Sequence, residues 1–282
     1  MAPWRQQLTV GCQERELSLA VTPTSFRRPD WTAWDLSRNV LHVWRISLDQ
    51  EALCLEAYAS TLSPEEHNRA RRYRFDRDRR DFLVGRGFLR SLLGRYLGVA
   101  PERLRFVFGK RGKPALAPSS GAWLRFNISH SGRMLLCALA ADRELGVDIE
   151  CIRFLPDLEE VARCVFSSAE RAVLRGLSDP QRQQAFFRCW TRKEAYIKAQ
   201  GDGFSLPVNE IEVSLAPGEP ARLLRGIESP RDTLRWSLRD LAPAPGYMGA
   251  VAAEGHGRQM HCWRWEPELR PAVVTSVVEE AV

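Results

Sequence analysis

Between Trp190 and Ala199 the chain reads Trp-Thr-Arg-Lys-Glu-Ala-Tyr-Ile-Lys-Ala. As a helix, this stretch carries Trp190, Glu194 and Lys198 at i, i+4 spacing, so an aromatic ring, a carboxylate and an ammonium share one face. Upstream, Gly146-Val147-Asp148-Ile149-Glu150 reads as extended by its β-branched residues. Its period of two puts Asp148 and Glu150 on one face, with Val147 and Ile149 on the other. Three carboxylates converging from a strand and a helix suit Mg²⁺, which takes one or two carboxylates and completes its octahedron with water and phosphate oxygens. The lysine one turn beyond Glu194 then points to a phosphate ester as ligand. Taken alone, the helix is a surface ion pair beside a core tryptophan and the strand carboxylates face solvent; the two segments together carry the metal reading.

Other residues invite chemistry and resist it. Ser129-His130-Ser131 has the residue types of a hydrolase, but neighbours on an extended segment point to opposite faces, and no GxSxG elbow occurs. A turn serine and a half-buried histidine are the plainer account. Gly109-Lys110-Arg111-Gly112-Lys113-Pro114 is a basic, glycine-containing loop between apolar segments, suited to cradling a phosphate or adenine and equally to an ordinary hairpin turn. It lacks the GxxxxGK[ST] of a nucleotide-binding P-loop. The run from Arg69 to Arg80 holds seven arginines with Asp76 and Asp78 interspersed, the pattern of a solvated helix face. No recognised DNA- or RNA-binding motif accompanies it.

These residues need elements to position them. Val40 to Ser47 alternates as a strand, and a short helix is expected over about 49–60. Ser63-Pro64-Glu65-Glu66 supplies an N-cap, a proline at the first helical position and a capping box. A longer helix continues through Phe82, Leu89, Leu92 and Leu93 to stop at Gly98. Ser167-Ser168-Ala169-Glu170 is a second capping box, and Asp179-Pro180 opens a long helix that ends at Gly201. Strands are expected over 208–215, 234–241 and 247–253. Ser167 follows Ser63, Glu170 follows Glu66, Phe186 follows Phe82 and Trp190 follows Arg86 by the same 104 residues. That offset predicts an internal duplication: an α+β chain of two similar lobes about a pseudo-two-fold axis, with an active site in the cleft between them. The expected divisions are an N-terminal extension (1–39), an N-terminal lobe (40–140), a C-terminal lobe (141–266) and a tail (267–282).

Composition bounds the rest. The 282 residues are 44 % hydrophobic, enough for a core of one large or two small domains. The longest apolar runs, such as Met134 to Ala141, are too short to span a bilayer, and the N-terminus lacks a signal-peptide layout. A soluble, cytoplasmic protein is expected, with no membrane and no nucleic-acid partner. Seven cysteines without a CxxC pair argue against a disulfide framework or structural zinc and for reduced, mostly buried thiols. Lys and Arg exceed Asp and Glu by 41 to 35, yet the only lysines are 110, 113, 193 and 198, all within or beside the segments above. A compact ammonium is a common phosphate binder.

Four blocks, RGKPAL (111–116), FNISHS (126–131), GVDIE (146–150) and WTRKEAYIKA (190–199), together resemble the Sfp-type 4′-phosphopantetheinyl transferases in content and order. The resemblance covers about residues 40 to 250. It implies transfer of the phosphopantetheine arm of coenzyme A to a serine of an acyl, peptidyl or aryl carrier protein, with release of adenosine 3′,5′-bisphosphate. It implies Mg²⁺, with Mn²⁺ as a substitute, held by Asp148, Glu150 and Glu194; a carboxylate beside the metal could also accept the proton of the attacking hydroxyl, directly or through water, which makes Glu194 the candidate general base. Lys198 would stabilise phosphoryl charge, and Lys193 would assist. Ser129 and His130 would bind coenzyme A phosphates, with Asn127 supporting that loop or meeting the adenine side of the ligand. Arg86, Lys110, Arg111 and Lys113 would lie by the adenosine and 3′-phosphate. A monomer is expected. The reading from a different class is a non-catalytic protein that binds coenzyme A or nucleic acid; loss of the carboxylates would favour it, and all three are present.

Overall fold

The computed structural model describes residues 23–31, 36–109, 112–201 and 207–267. Lys110 and Arg111, most of the N-terminal extension and nearly all of the tail lie outside the described residues. The described residues divide into two compact units, one built on Asp49–Glu102 and the other on the described residues up to Leu48 together with those of Arg103–Trp265.

The smaller unit holds three helices: α1 (Ala52–Ala59), α2 (Pro64–Arg71) and α3 (Asp76–Leu97). The capping box of α2 forms as the sequence predicts. Ser63 accepts from the Glu66 amide, and Glu66 returns a bond to the Ser63 amide. Glu66 also pairs with two arginines of α3, at 2.6 Å to Arg90 Nε and 3.3 Å to Arg86 Nε. α3 ends at Gly98, whose φ of 64° is the left-handed cap that glycine adopts without strain. All seven arginines between 69 and 80 are exposed.

The larger unit is built from strands β1 (Val40–Ser47), β2 (Phe106–Phe108), β3 (Pro114–Leu116), β4 (Leu124–Ser131), β5 (Met134–Ala141) and β6 (Leu145–Cys151). Helices α4 (Leu158–Val165), α5 (Ser168–Arg175) and α6 (Asp179–Gln200) follow. The remainder is β7 (Glu212–Val213), β8 (Leu223–Arg225), a helical turn α7 (Asp232–Arg235), β9 (Trp236–Leu241), β10 (Tyr247–Glu254) and β11 (Gln259–Arg264). One sheet runs β11-β1-β5-β4, with β1 and β11 parallel and the other neighbours antiparallel. The apolar run 134–141 is a strand inside this sheet, which is why its apolar residues do not alternate with polar ones. A second sheet runs β6-β10-β9, antiparallel throughout.

The two sheets share a core. Leu41, Val43, Leu136, Ala138 and Ala140 of the first sheet cluster with Val147, Ile149 and Val251 of the second. The opposite side of the second sheet, with Trp236, Leu238, Met248, Ala250 and Ala252, packs with Ala195, Tyr196 and Ile197 of α6. The result is a layered α+β unit in which α6 is buried along most of its length. At Gly146 the helix lies directly on β6. A Cβ there would stand 2.1 Å from the Ala195 carbonyl oxygen and 2.4 Å from the Ala199 amide nitrogen. Only a residue without a side chain permits that approach.

Several expectations change. The strand over 208–215 is a 3₁₀ turn at Val208–Glu210 followed by the two-residue β7, because Ser214 is drawn into bonds with Arg192, Pro220 and Arg222. The strand over 234–241 begins only at Trp236. Asp232 Oδ2 accepts from the Glu228 and Ser229 amides and from the Tyr196 hydroxyl, which holds the preceding residues in a turn. Cys54, Cys137, Cys189 and Cys262 are buried free thiols and Cys164 an exposed one, as a reduced set requires. Cys151 departs from that reading and is disulfide-bonded.

Gly146→Ala tests the close approach. Overpacking typically costs about 1–3 kcal/mol and more where backbone is the obstacle, so the variant is expected to lose about 3 kcal/mol or more in chemical denaturation. A loss below about 1 kcal/mol would show that α6 yields without strain.

Candidate functional site

α6 and β6 deliver the expected side chains to one face. Lys198 Nζ lies 2.6 Å from Asp148 Oδ1 and donates to Ser129 Oγ at 2.8 Å. Ser129 in turn donates to the same Asp148 oxygen at 3.0 Å. Glu150 accepts from the Trp190 indole at Oε1, 3.2 Å, and from the Ser131 hydroxyl at Oε2, 2.9 Å. Glu194, one turn before Lys198, is buried and contributes to the field at the ammonium. Trp190, Glu194 and Lys198 therefore do share the face that the i, i+4 spacing predicts.

β4 supplies a third element. Its alternation aims Asn127, Ser129 and Ser131 at β6, where Asn127 Oδ1 accepts from the Val147 amide at 2.9 Å and Ser131 Oγ accepts from the Cys151 amide at 3.0 Å. These side chains stitch the edge of one sheet to the edge of the other. His130, on the alternate side of β4, is exposed and is not brought to the cluster. Lys113 donates to the Lys198 carbonyl at 2.8 Å and the Leu145 carbonyl at 3.3 Å, so it ties the β3 side to the C-terminal turn of α6. Arg86 belongs to the smaller unit, where it pairs with Glu66.

Lys193 is placed elsewhere. Its side chain is 0 % exposed and its ammonium sits 2.5 Å from Glu170 Oε2, donating also to the Val165 and Val208 carbonyls. Glu170 is 3 % exposed; it closes the α5 capping box and accepts from the Val213 amide through Oε1. Lys193 follows Lys198 in type but not in direction: at five residues' separation the two ammonium groups emerge from different sides of α6. Arg192 is likewise buried, held by both oxygens of Asp240 at 2.7 and 2.6 Å. These ions anchor the helix rather than line the carboxylate cluster.

The electrostatics follow from burial. Burial raises the Asp148 carboxyl above its usual range, against the opposing pull of Lys198 and the bonds from Ser129 and the Ile149 amide. Burial, then repulsion from Asp148, pushes Glu150 up to about 7, opposed by its bonds to Ser131 and Trp190. Burial would lower Lys198, but Asp148, Glu194 and Glu150 hold it above the ordinary lysine value. Asp148 thus meets the ammonium directly, while Glu194 and Glu150 act on it through their charge. Asp148 Oδ2 is buried with no hydrogen-bond partner among the described residues. Among those residues no three His, Cys, Asp or Glu side chains are gathered as a ready-made metal cage. What the donor set fits is a hard divalent cation that shares its shell with a ligand: an unpartnered buried carboxylate oxygen, beside a second carboxylate, in surroundings that resist two negative charges.

A family model described as the 4′-phosphopantetheinyl transferase superfamily matches residues 144–252, and one described as 4′-phosphopantetheinyl transferase, N-terminal, matches 44–144. Over 231 residues the chain is 44 % identical to the 4′-phosphopantetheinyl transferase HetI of Nostoc sp., covering 82 % of this chain and 94 % of that protein. The chain belongs to the 4′-phosphopantetheinyl transferase superfamily. It is also 31 % identical over 198 residues to the 4′-phosphopantetheinyl transferase Sfp of Bacillus subtilis, covering 70 % of this chain and 84 % of that one. The superfamily match contains Asp148, Glu150, Glu194 and Lys198; the N-terminal match contains Asn127, Ser129 and Ser131. Reasoning from sequence missed Ser131 and Glu170 as contributors. The period of two in FNISHS was the signal for the first, and the repeated capping box for the second.

Lys193→Met tests the anchoring role. It leaves the Glu170 carboxylate buried without its ammonium, and breaking such a pair costs about 3–5 kcal/mol. Denaturation of Lys193→Met, Glu170→Gln and the double variant is expected to show both single losses partly recovered in the double. Stability equal to wild type in Lys193→Met would contradict the anchor.

Proposed function

We propose that this chain transfers the 4′-phosphopantetheine arm of coenzyme A to a serine hydroxyl of an acyl, peptidyl or aryl carrier protein, releasing adenosine 3′,5′-bisphosphate, and that it works as a cytoplasmic monomer. The observation that carries this reading is the convergence of Asp148, Glu150, Glu194 and Lys198 on one face, in a chain of this superfamily. Asp148, Glu150 and Glu194 would hold Mg²⁺, and the unpartnered Asp148 Oδ2 supports the fit. Mg²⁺, when bound, supplies positive charge against the pyrophosphate oxygens.

The chain's own residues account for the remaining work. Lys198, kept charged by the carboxylates around it, stabilises negative charge on the phosphoryl oxygens. Glu194 takes the proton from the carrier serine as its oxygen attacks the β-phosphorus; the bond from that phosphorus to the bridging oxygen breaks, and adenosine 3′,5′-bisphosphate leaves. Ser129 fixes Asp148 and Lys198 relative to each other through one hydroxyl. Arg86, Lys110, Arg111, Lys113 and His130 are assigned to the adenosine and phosphate side of coenzyme A. Lys193, turned into the core, is assigned to anchoring α6.

Incubation with coenzyme A, Mg²⁺ and a panel of apo-carriers, read by intact mass, tests this. The carrier is expected to gain the phosphopantetheine mass only when coenzyme A and a divalent metal are both present. Full transfer in excess chelator would contradict the metal assignment, and no transfer to any carrier would contradict the activity. Glu194→Gln keeps size and loses the base, so turnover is expected to fall at least ~10²-fold.

A further inference from the structure

Glu150 is gripped at both of its carboxylate oxygens, by donors from two different elements. The Trp190 indole nitrogen has only a proton to offer, and it offers it to Oε1 at 3.2 Å. The Ser131 hydroxyl already accepts from the Cys151 amide at 3.0 Å, so its single proton is free for Oε2, 2.9 Å away. Each carboxylate oxygen has two acceptor directions, and one on each remains after these bonds. The side chain is therefore held from two elements, β4 and α6, while it sits on a third, β6.

We propose that Ser131 and Trp190 form a clamp that fixes the rotamer of Glu150 and so sets the affinity of the site for its divalent cation. The inference rests on the metal reading given above. A glutamate has three side-chain torsions to lose on ordering, and a clamp that orders it beforehand removes that cost from cation binding. Asp148 is treated in the same way: Ser129 and Lys198 hold Oδ1, leaving Oδ2 without a partner. The two strand carboxylates are thus each fixed by a β4 serine and by one residue of α6, Lys198 for Asp148 and Trp190 for Glu150. Ser131 and Trp190 touch no reacting atom in this account; they are positioning residues, and groups in that role typically contribute 10–100-fold to metal affinity.

The test uses Mn²⁺ as the probe, with the free ion followed by electron paramagnetic resonance in the presence of coenzyme A. Trp190→Phe removes the donor and keeps an aromatic ring; Ser131→Ala removes the hydroxyl; Ser131→Thr restores it. Both loss variants are expected to bind Mn²⁺ about 10-fold more weakly, with Ser131→Thr close to wild type. Their turnover is expected to recover toward wild type when metal is raised to saturation. Unchanged Mn²⁺ affinity in folded Trp190→Phe and Ser131→Ala, whatever their stability, would overturn the clamp alone. A wild-type chain that takes up no Mn²⁺ would overturn the metal reading and the clamp with it, so the two failures are told apart.

Discussion

Helix α6 touches β6 backbone to backbone at Gly146, and the geometry of the site descends from that contact. Side chains ordinarily fill the space between a helix and the sheet it packs on; at Gly146 none stands between, and Lys198 Nζ lies 2.6 Å from Asp148 Oδ1. The missing side chain at 146 lets the turn from Ala195 to Ala199 settle onto the strand. Asp148 and Glu150, the next residues on the same face, then meet Lys198 and Trp190. The glycine and the carboxylates are parts of one device, with spacing from the first and charge from the others.

Such a contact lasts only if the helix cannot rotate or slide. The other sides of α6 supply that constraint. Lys193 is locked to Glu170, Val165 and Val208, and Arg192 to Asp240 and Ser214. Parting such a pair leaves its buried charge uncompensated, so a seating of the helix that breaks it is penalised. On the strand side, Asn127, Ser129 and Ser131 hold β6 against β4. The carboxylates are consequently kept close together in a buried place, at the cost of raised proton affinity in Asp148 and Glu150. Positive charge relieves that repulsion, as Lys198 does at Asp148.

Much of this was legible in the sequence where the controlling physics is local. The capping boxes at Ser63 and Ser167, the glycine stops at Gly98 and Gly201, and the shared face of Trp190, Glu194 and Lys198 need only near neighbours, and all are found. The carboxylates of GVDIE were placed by a period of two. What was not legible depends on partners distant in the chain. Lys193 looked like a second phosphate-binding lysine because nothing local reveals that Glu170 waits on its side of the helix. The late start of β9 depends on Asp232 meeting Tyr196, and β11, dense in His, Trp and Arg, gives no alternating apolar signal although it pairs with β1 along its length. The count of cysteines likewise could not report which of them comes near another, so the disulfide at Cys151 was unforeseen.

If the seating of α6 on Gly146 is what positions the Lys198 ammonium, the two act as one unit. A double-mutant cycle on turnover, with Gly146→Ala, Lys198→Ala and the pair, measures that coupling under conditions where all three variants are folded. Strongly non-additive losses are expected: once the helix is displaced, removing Lys198 costs little more. Losses that multiply as independent factors would show that Lys198 acts without the close contact.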